Sequence, residues 1–160
     1  MWSARLGRAL LAAVILAGAG PALAQESARW ERGEEGAVTF ADLAIERYSR
    51  FTIFCRVTAT GSVAGLALTS PYFQTQVINE EGYSLTLVID GARDSVHMVA
   101  RDIELWFEAK DLNQQNQLRR LFDGLVNAQR IDLAISTLGW RDSRRIENSA
   151  ELAGLMDKCL

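Results

Sequence analysis

The sequence predicts an α+β fold: mainly an antiparallel twisted sheet or β-sandwich with two helices, the C-terminal one tied to an early strand by a disulfide. Three observations predict it. Most of the chain beyond residue 36 falls into short runs with period-two alternation, separated by Gly, Asn and Asp turn signals. Only two stretches switch to helical spacing, one around Leu118 and one at the C-terminus. The two cysteines, Cys55 and Cys159, sit on a strand face and on a helical stripe respectively. Short turns between strands, with no βαβ alternation, argue against a parallel sheet.

The first 24 residues read as a signal peptide. Arg5 and Arg8 give a positive start, residues 10–20 form an apolar run too short to span a bilayer, and Pro21 then breaks any helix. Ala22-Leu23-Ala24 supplies a small-x-small pattern, so cleavage is expected between Ala24 and Gln25. The arginines are not adjacent and no Cys lies beside the cleavage position, which disfavours twin-arginine export and a lipid anchor. Cleavage removes two arginines and no acid, leaving 136 residues at a formal charge of −5. No second run of ~18 apolar residues follows, so no stable membrane anchor is expected after cleavage. The location expected is periplasmic or secreted.

Residues 25–36 are charged and read as a mobile segment anchored by Trp30, and 37–160 as a single β-rich globular domain. Within it, 37–43 starts with the strand-like Val38-Thr39-Phe40. Phe51, Ile53, Cys55 and Val57 share one face of a strand over 51–59, and Thr60-Gly61-Ser62 turns it into 63–70. Residues 72–78 continue as a strand after Pro71, and 79–82 form a turn. Tyr83, Leu85, Leu87 and Ile89 alternate, then Asp90-Gly91 turns the chain. Residues 95–100 and 103–109 read as two strands or one long bent one, with Arg101-Asp102 as the weak point. Asp111 or Asn113 caps a helix to about residue 129, whose stripe is Leu118, Leu121, Phe122 and Leu125. Residues 131–136 are a strand, 139–143 a loop or a strand-leading bend, and 144–147 a short strand. Asn148 and Glu151 resemble a capping box opening a last helix that carries Leu152, Leu155, Met156 and Cys159 on one stripe.

Export implies an oxidising compartment, where two cysteines usually pair. Two free thiols or an intermolecular bond are the alternatives. Both sulfurs point toward the core, which favours one internal bridge, Cys55–Cys159.

The function classes narrow by exclusion. A chain of 160 residues holds one large core. Its formal charge of −3 argues against a general nucleic-acid binder. A single His, His97, cannot build a multi-His metal centre. A triad from Ser95, His97 and Asp90 or Asp94 lacks a nucleophile elbow, and a strand histidine at a rim is the simpler reading. Glu80-Glu81 reads as a solvated turn, and Asp90 and Asp94 lack EF-hand spacing. Glu104 and Glu108 flank Trp106 on one strand face and could serve a hydrolase, although solvent-facing acids on a sheet are commoner. There is no phosphate loop, dinucleotide fingerprint or zinc pattern, so no catalytic, cofactor or metal residue is assigned. The expected contact surface comprises Trp106, Trp140, Arg141, Arg144 and Arg145, if the tryptophans are exposed.

The layout invites a family comparison. An early Trp30, Cys55 in a strand and a meander ending in Ile103-Glu104-Leu105-Trp106-Phe107 come first. A helix over 118–128, the run Ile131-Asp132-Leu133-Ala134-Ile135 and Ser149-Ala150-Glu151-Leu152 leading to Cys159 follow. This order resembles exported proteobacterial β-rich domains of the invasion-associated locus B type, and the VasI-type proteins linked to type VI secretion. The two-cysteine content departs from the former and lies closer to the latter. The resemblance implies a periplasmic, non-enzymatic accessory or binding protein with a protein or cell-envelope partner. The competing expectations are an inhibitor of an envelope-targeting enzyme such as lysozyme, and a small envelope hydrolase using paired carboxylates.

Overall fold

Alternating buried and exposed residues run through ten strands that form one sheet in the computed structural model. It describes residues 26–46, 48–73, 82–102 and 104–160. The signal segment, its cleavage site, most of the strand expected over 72–78 and the first three residues of the turn expected over 79–82 lie outside the described residues. Tyr72 and Phe73 are not in a strand.

In chain order the strands are β1 (Ser27–Ala28), β2 (Trp30–Glu35), β3 (Val38–Glu46), β4 (Ser49–Thr58), β5 (Gly61–Thr69), β6 (Tyr83–Ile89), β7 (Ala92–Arg101) and β8 (Glu104–Glu108). A helix, α1 (Leu112–Val126), separates these from β9 (Arg130–Ile135) and β10 (Trp140–Ile146). The spatial order is β1-β10-β9-β6-β7-β8-β5-β4-β3-β2, and every neighbouring pair is antiparallel except β1 with β10. The two edges of this order, β1 and β2, are one segment of chain broken only at Arg29. The same segment therefore pairs with both ends of the sheet and rolls it into a near-closed barrel. This corrects the expected open twisted sheet or sandwich. It also corrects the expected mobile segment: from Ser27 onward these residues are strands, and Trp30 is buried.

The closure is specific. The Asn148 side-chain amide donates to the Trp30 carbonyl at 2.9 Å, and its oxygen accepts from the Trp30 N–H at 2.7 Å. The Glu147 N–H donates to the Ala28 carbonyl and the Arg145 N–H to the Glu26 carbonyl. With its side chain committed here, Asn148 makes no cap. The expected C-terminal α-helix is thus a single 3-10 turn, Ser149–Leu152, followed by turns. Gly154, at φ +74°, takes a left-handed conformation that ends helical progression. Among the described residues there is one α-helix, not two.

Leu43, Phe51, Ile53, Leu66, Leu85, Met98, Leu105 and Leu133 fill the interior, all at or near zero exposure. The outer face carries most of the charged residues. This polarity is the reverse of a membrane-spanning barrel, and no described helix is long and apolar enough to cross a membrane. Helix α1 is capped by Asp111, whose carboxylate accepts from the Gln114 N–H at 2.9 Å. Its buried residues are the expected Leu118, Leu121, Phe122 and Leu125, and they join the barrel core. Asp90 and Gly91 both have positive φ, as a two-residue type I′ hairpin requires.

The disulfide is present. Cys55 on β4 and Cys159 are joined across Cα atoms 5.7 Å apart. It fastens a C-terminal segment that has turns but no regular helix to hold it. Replacing both residues (C55A/C159A) is expected to cost about 4–5 kcal/mol on the chain-entropy account of a loop of this length. Urea unfolding of the two oxidised-condition samples reads this directly. An unchanged midpoint would mean that Leu152, Leu155 and Met156 hold the segment alone.

Candidate functional site

The outer face of β3, β4, β5 and β8 departs from the polar pattern of the rest of the barrel. Phe54 lies out of phase with the inward Phe51, Ile53 and Cys55, so its ring points to the solvent side of β4, yet it is only 4% exposed. Register explains why. Gly33, Phe40, Phe54, Gly65 and Glu108 form one row across the strands. Asp42, Thr52, Ala67, Trp106 and Val99 form the next. Two glycines thus lie beside two phenylalanines. A Cβ on Gly65 would fall 2.4 Å from the Phe54 ring and 2.4 Å from the Phe107 carbonyl oxygen; one on Gly33 would fall 2.5 Å from the Phe40 ring. Each ring occupies the space of a missing side chain. Trp106 completes the cluster, its ring centroid 5.0 Å from that of Phe54.

A polar rim fixes the indole. Trp106 Nε1 donates to Glu104 Oε2 at 2.6 Å, and Thr69 Oγ1 donates to Glu104 Oε1 at 3.1 Å. The Arg101 guanidinium stands 5.3 Å from the Trp106 ring centroid. Glu108 receives Arg56 at 2.8 Å and Arg101 at 3.8 Å. Shallow hollows flank the ring. One, of about 160 Å³, is lined by Phe40, Phe54 and Ala67; the other, of about 290 Å³, by His97, Val99 and Gln117. Val99 is exposed. The result is an apolar centre with an aromatic anchor held in one orientation and a rim of paired charges.

The five residues expected to form one contact surface are dispersed. Trp106 is in the cluster. Trp140 is buried at 6% exposure, edge-on to Phe73. Arg144 is also buried and faces the interior side of β10, while Arg141 and Arg145 are exposed on its outer side. Alternation along β10 imposes this split. Phe40, Phe54, Arg56 and Arg101 were not singled out by sequence. The available signal was Phe54 itself, a large apolar residue on the solvent phase of an otherwise regular strand.

Arg144 is a latch at the barrel seam. Its Nε and Nη2 meet both Asp142 carboxylate oxygens at 2.8 Å, and its Nη1 reaches Glu26 beside β1. Burial pushes the Asp142 carboxyl above its ordinary value, outweighing Arg144 and reinforced by the negative charges of Glu46 and Glu26. Burial pulls the Arg144 guanidinium down, but its hydrogen bonds to Asp142 and Glu26 outweigh this and raise it.

Ser95, His97 and Asp94 are not hydrogen-bonded into a triad among the described residues. Ser95 Oγ pairs with Ser84 Oγ, and Asp94 is bonded to the Ser95 N–H and to Gln117; His97 joins neither. Glu104 and Glu108 are four residues apart on a strand, about 13 Å along it, and each carboxylate is engaged by its own partners. Among the described residues no group of three or more His, Cys, Asp or Glu is placed to hold a metal ion.

No known protein family matches the chain, and neither a curated protein nor a solved structure shows significant similarity to it.

Two substitutions probe this geometry. Gly65→Ala forces the Phe107 backbone or the Phe54 ring to move, with an expected cost of about 1–3 kcal/mol in thermal or urea unfolding. Arg144→Gln leaves Asp142 with only the influences that raise its pKa. Its cost is expected to be about 3–5 kcal/mol near neutral pH. For a carboxyl with a raised folded pKa, stability is present below the ordinary carboxylate value and is lost as pH rises through the folded value. The deficit of R144Q should therefore shrink toward acidic pH, and unfolding series between pH 4 and 8 check it.

Proposed function

We propose that this chain is an exported accessory or binding protein that acts by protein contact, with the Trp106 face as its contact surface. The carrying observation is the Phe40–Phe54–Trp106 cluster on the solvent side of the sheet. A barrel that needs only its interior core gains little from a second apolar cluster outside it. A rigid aromatic anchor ringed by charges matches the composition of binding hot spots, which favour Trp and Arg at a desolvated centre. The network through Glu104, Glu108, Arg56 and Arg101 sets the indole before a partner arrives, which lowers the ordering cost of binding. The apparent signal peptide and the resemblance of the layout to VasI-type and invasion-associated locus B-type proteins support a periplasmic or secreted location.

A second reading has its own observation. Glu31, Asp42, Glu46 and Glu104 border a hollow next to this face, with Arg50 the one arginine lining it. That border favours a basic partner surface, which suits an inhibitor of an envelope-targeting enzyme such as lysozyme.

A photo-crosslinking residue at position 99, in the mature oxidised protein mixed with envelope extract, distinguishes these. A discrete protein adduct that falls at least about tenfold with Trp106→Ala supports contact at this face; an adduct with a basic lytic enzyme, with loss of its activity, selects the inhibitor reading. An adduct pattern unchanged by Trp106→Ala, or turnover of a glycan or peptide by the protein itself, overturns it.

A further inference from the structure

On the far side of the barrel, β7, β6, β9 and β10 present a second outer face with a different chemistry. Register places Arg93, Val88, Asp132 and Ser143 in one row and Ser95, Thr86, Ala134 and Arg141 in the next. Small side chains floor a trough of about 580 Å³ between Arg93 on one flank and Arg130 and Arg141 on the other. Arg145 adjoins it, directly opposite Arg130. From β7 to β10 the trough spans three strand spacings, about 14 Å.

Three of the four arginines here are not neutralised by the protein, while Arg130 pairs with Asp132. Arg93, Arg141 and Arg145 make no ion pair or side-chain hydrogen bond among the described residues. Of the two carboxylates that line it, Asp132 in the floor is held by Arg130 and Ser143 within the trough, and Asp142 is held by Arg144. Arg130 and Arg145 face each other across strands, an arrangement that repels. The chain has 20 acidic residues against 17 basic ones, so unpaired arginines gathered on one face run against its overall charge. Guanidinium forks set on a rigid sheet suit carboxylate, phosphate or sulfate groups.

We propose that this face binds an anionic oligosaccharide lying across the four strands, with Arg93 and Arg141 gripping acidic groups at either end. The floor selects the ligand class. Thr86 offers a hydroxyl, and none of the exposed large apolar residues (Tyr48, Val57, Tyr72, Val99, Leu112) lines the trough. A bilayer or a protein hot spot would need such an anchor; a hydroxyl-rich, charged chain does not. The site is separate from the Trp106 face and stands or falls without it.

Calorimetric titration of the mature oxidised protein tests this. The probes are hexagalacturonate for carboxylates, a heparin hexasaccharide for sulfates, a poly-glutamate peptide, and phosphatidylglycerol vesicles. Saturable, salt-weakened binding of at least one oligosaccharide is expected, and the positive arm identifies the acidic group. R93A/R141A should lose at least about tenfold in affinity. R119A/R120A removes the same charge from exposed positions on α1 and should change it less than about twofold. Equal losses in the two variants would reduce the effect to net charge and overturn the site. Failure of both oligosaccharides, or tighter binding of the peptide or the vesicles, would overturn it as well.

Discussion

Parity governs this barrel. Strands that alternate in direction close into a ring without conflict only when their number is even. Here the bent segment of β1 and β2 occupies one position, so the ten strands fill nine places around the ring. An odd ring must contain one parallel pair, and it falls between β1 and β10, where only two residues of β1 are paired. The seam is the shortest ladder in the molecule, and neighbouring side chains supplement it. Asn148 brackets the Trp30 peptide groups, and Arg144 ties Asp142 on β10 to Glu26. The disulfide then holds the segment beyond Asn148 to β4. A charged N-terminal segment, a polar residue ahead of the last turn and a late cysteine are thus parts of one closure.

Closure also explains how the outer faces differ. With the apolar side chains of the strands turned inward, the outward positions need only satisfy water. On β6, β7, β9 and β10 they do so with arginines, serines and threonines. On β3, β4, β5 and β8 an aromatic cluster interrupts the pattern, and the glycines at 33 and 65 make room for it. Phe54 is as buried as a core residue while belonging to none of the interior packing. Its burial stabilises the sheet locally, and Trp106 above it remains partly accessible.

The polar networks separate these faces energetically. Around Trp106 the charges of Glu108, Arg56 and Arg101 are paired and Glu104 is hydrogen-bonded, so the rim is ordered. Across the barrel Arg93, Arg141 and Arg145 make no ion pair among the described residues, so that face projects its field into solvent. One chain therefore carries an apolar cluster on one outer face and a basic trough on the other, pointing in different directions.

Much of this was legible in the residues. Period-two alternation located nearly all the strands, helical spacing located α1 with its buried stripe, and the phases of Cys55 and Cys159 placed both sulfurs toward the core. Those signals are local, because a strand or helix face is set by residues two to four positions apart. The sequence could not show that 27–35 pairs with both sheet edges, since closure joins residues 118 positions apart through Trp30 and Asn148. It promised a last helix because Asn148 and Glu151 fit a cap, and the tertiary demand for Asn148 at the seam took that cap away. It grouped Arg141, Arg144 and Arg145 because they are neighbours in the chain. Strand alternation buries Arg144, and register brings in Arg93 instead. Most of the strands, the helix α1, the inward faces and the covalent bridge were determined by sequence; the closure, the last turns, the Trp106 cluster and the basic trough were decided by the tertiary structure, because only register sets side by side residues from strands far apart in the chain.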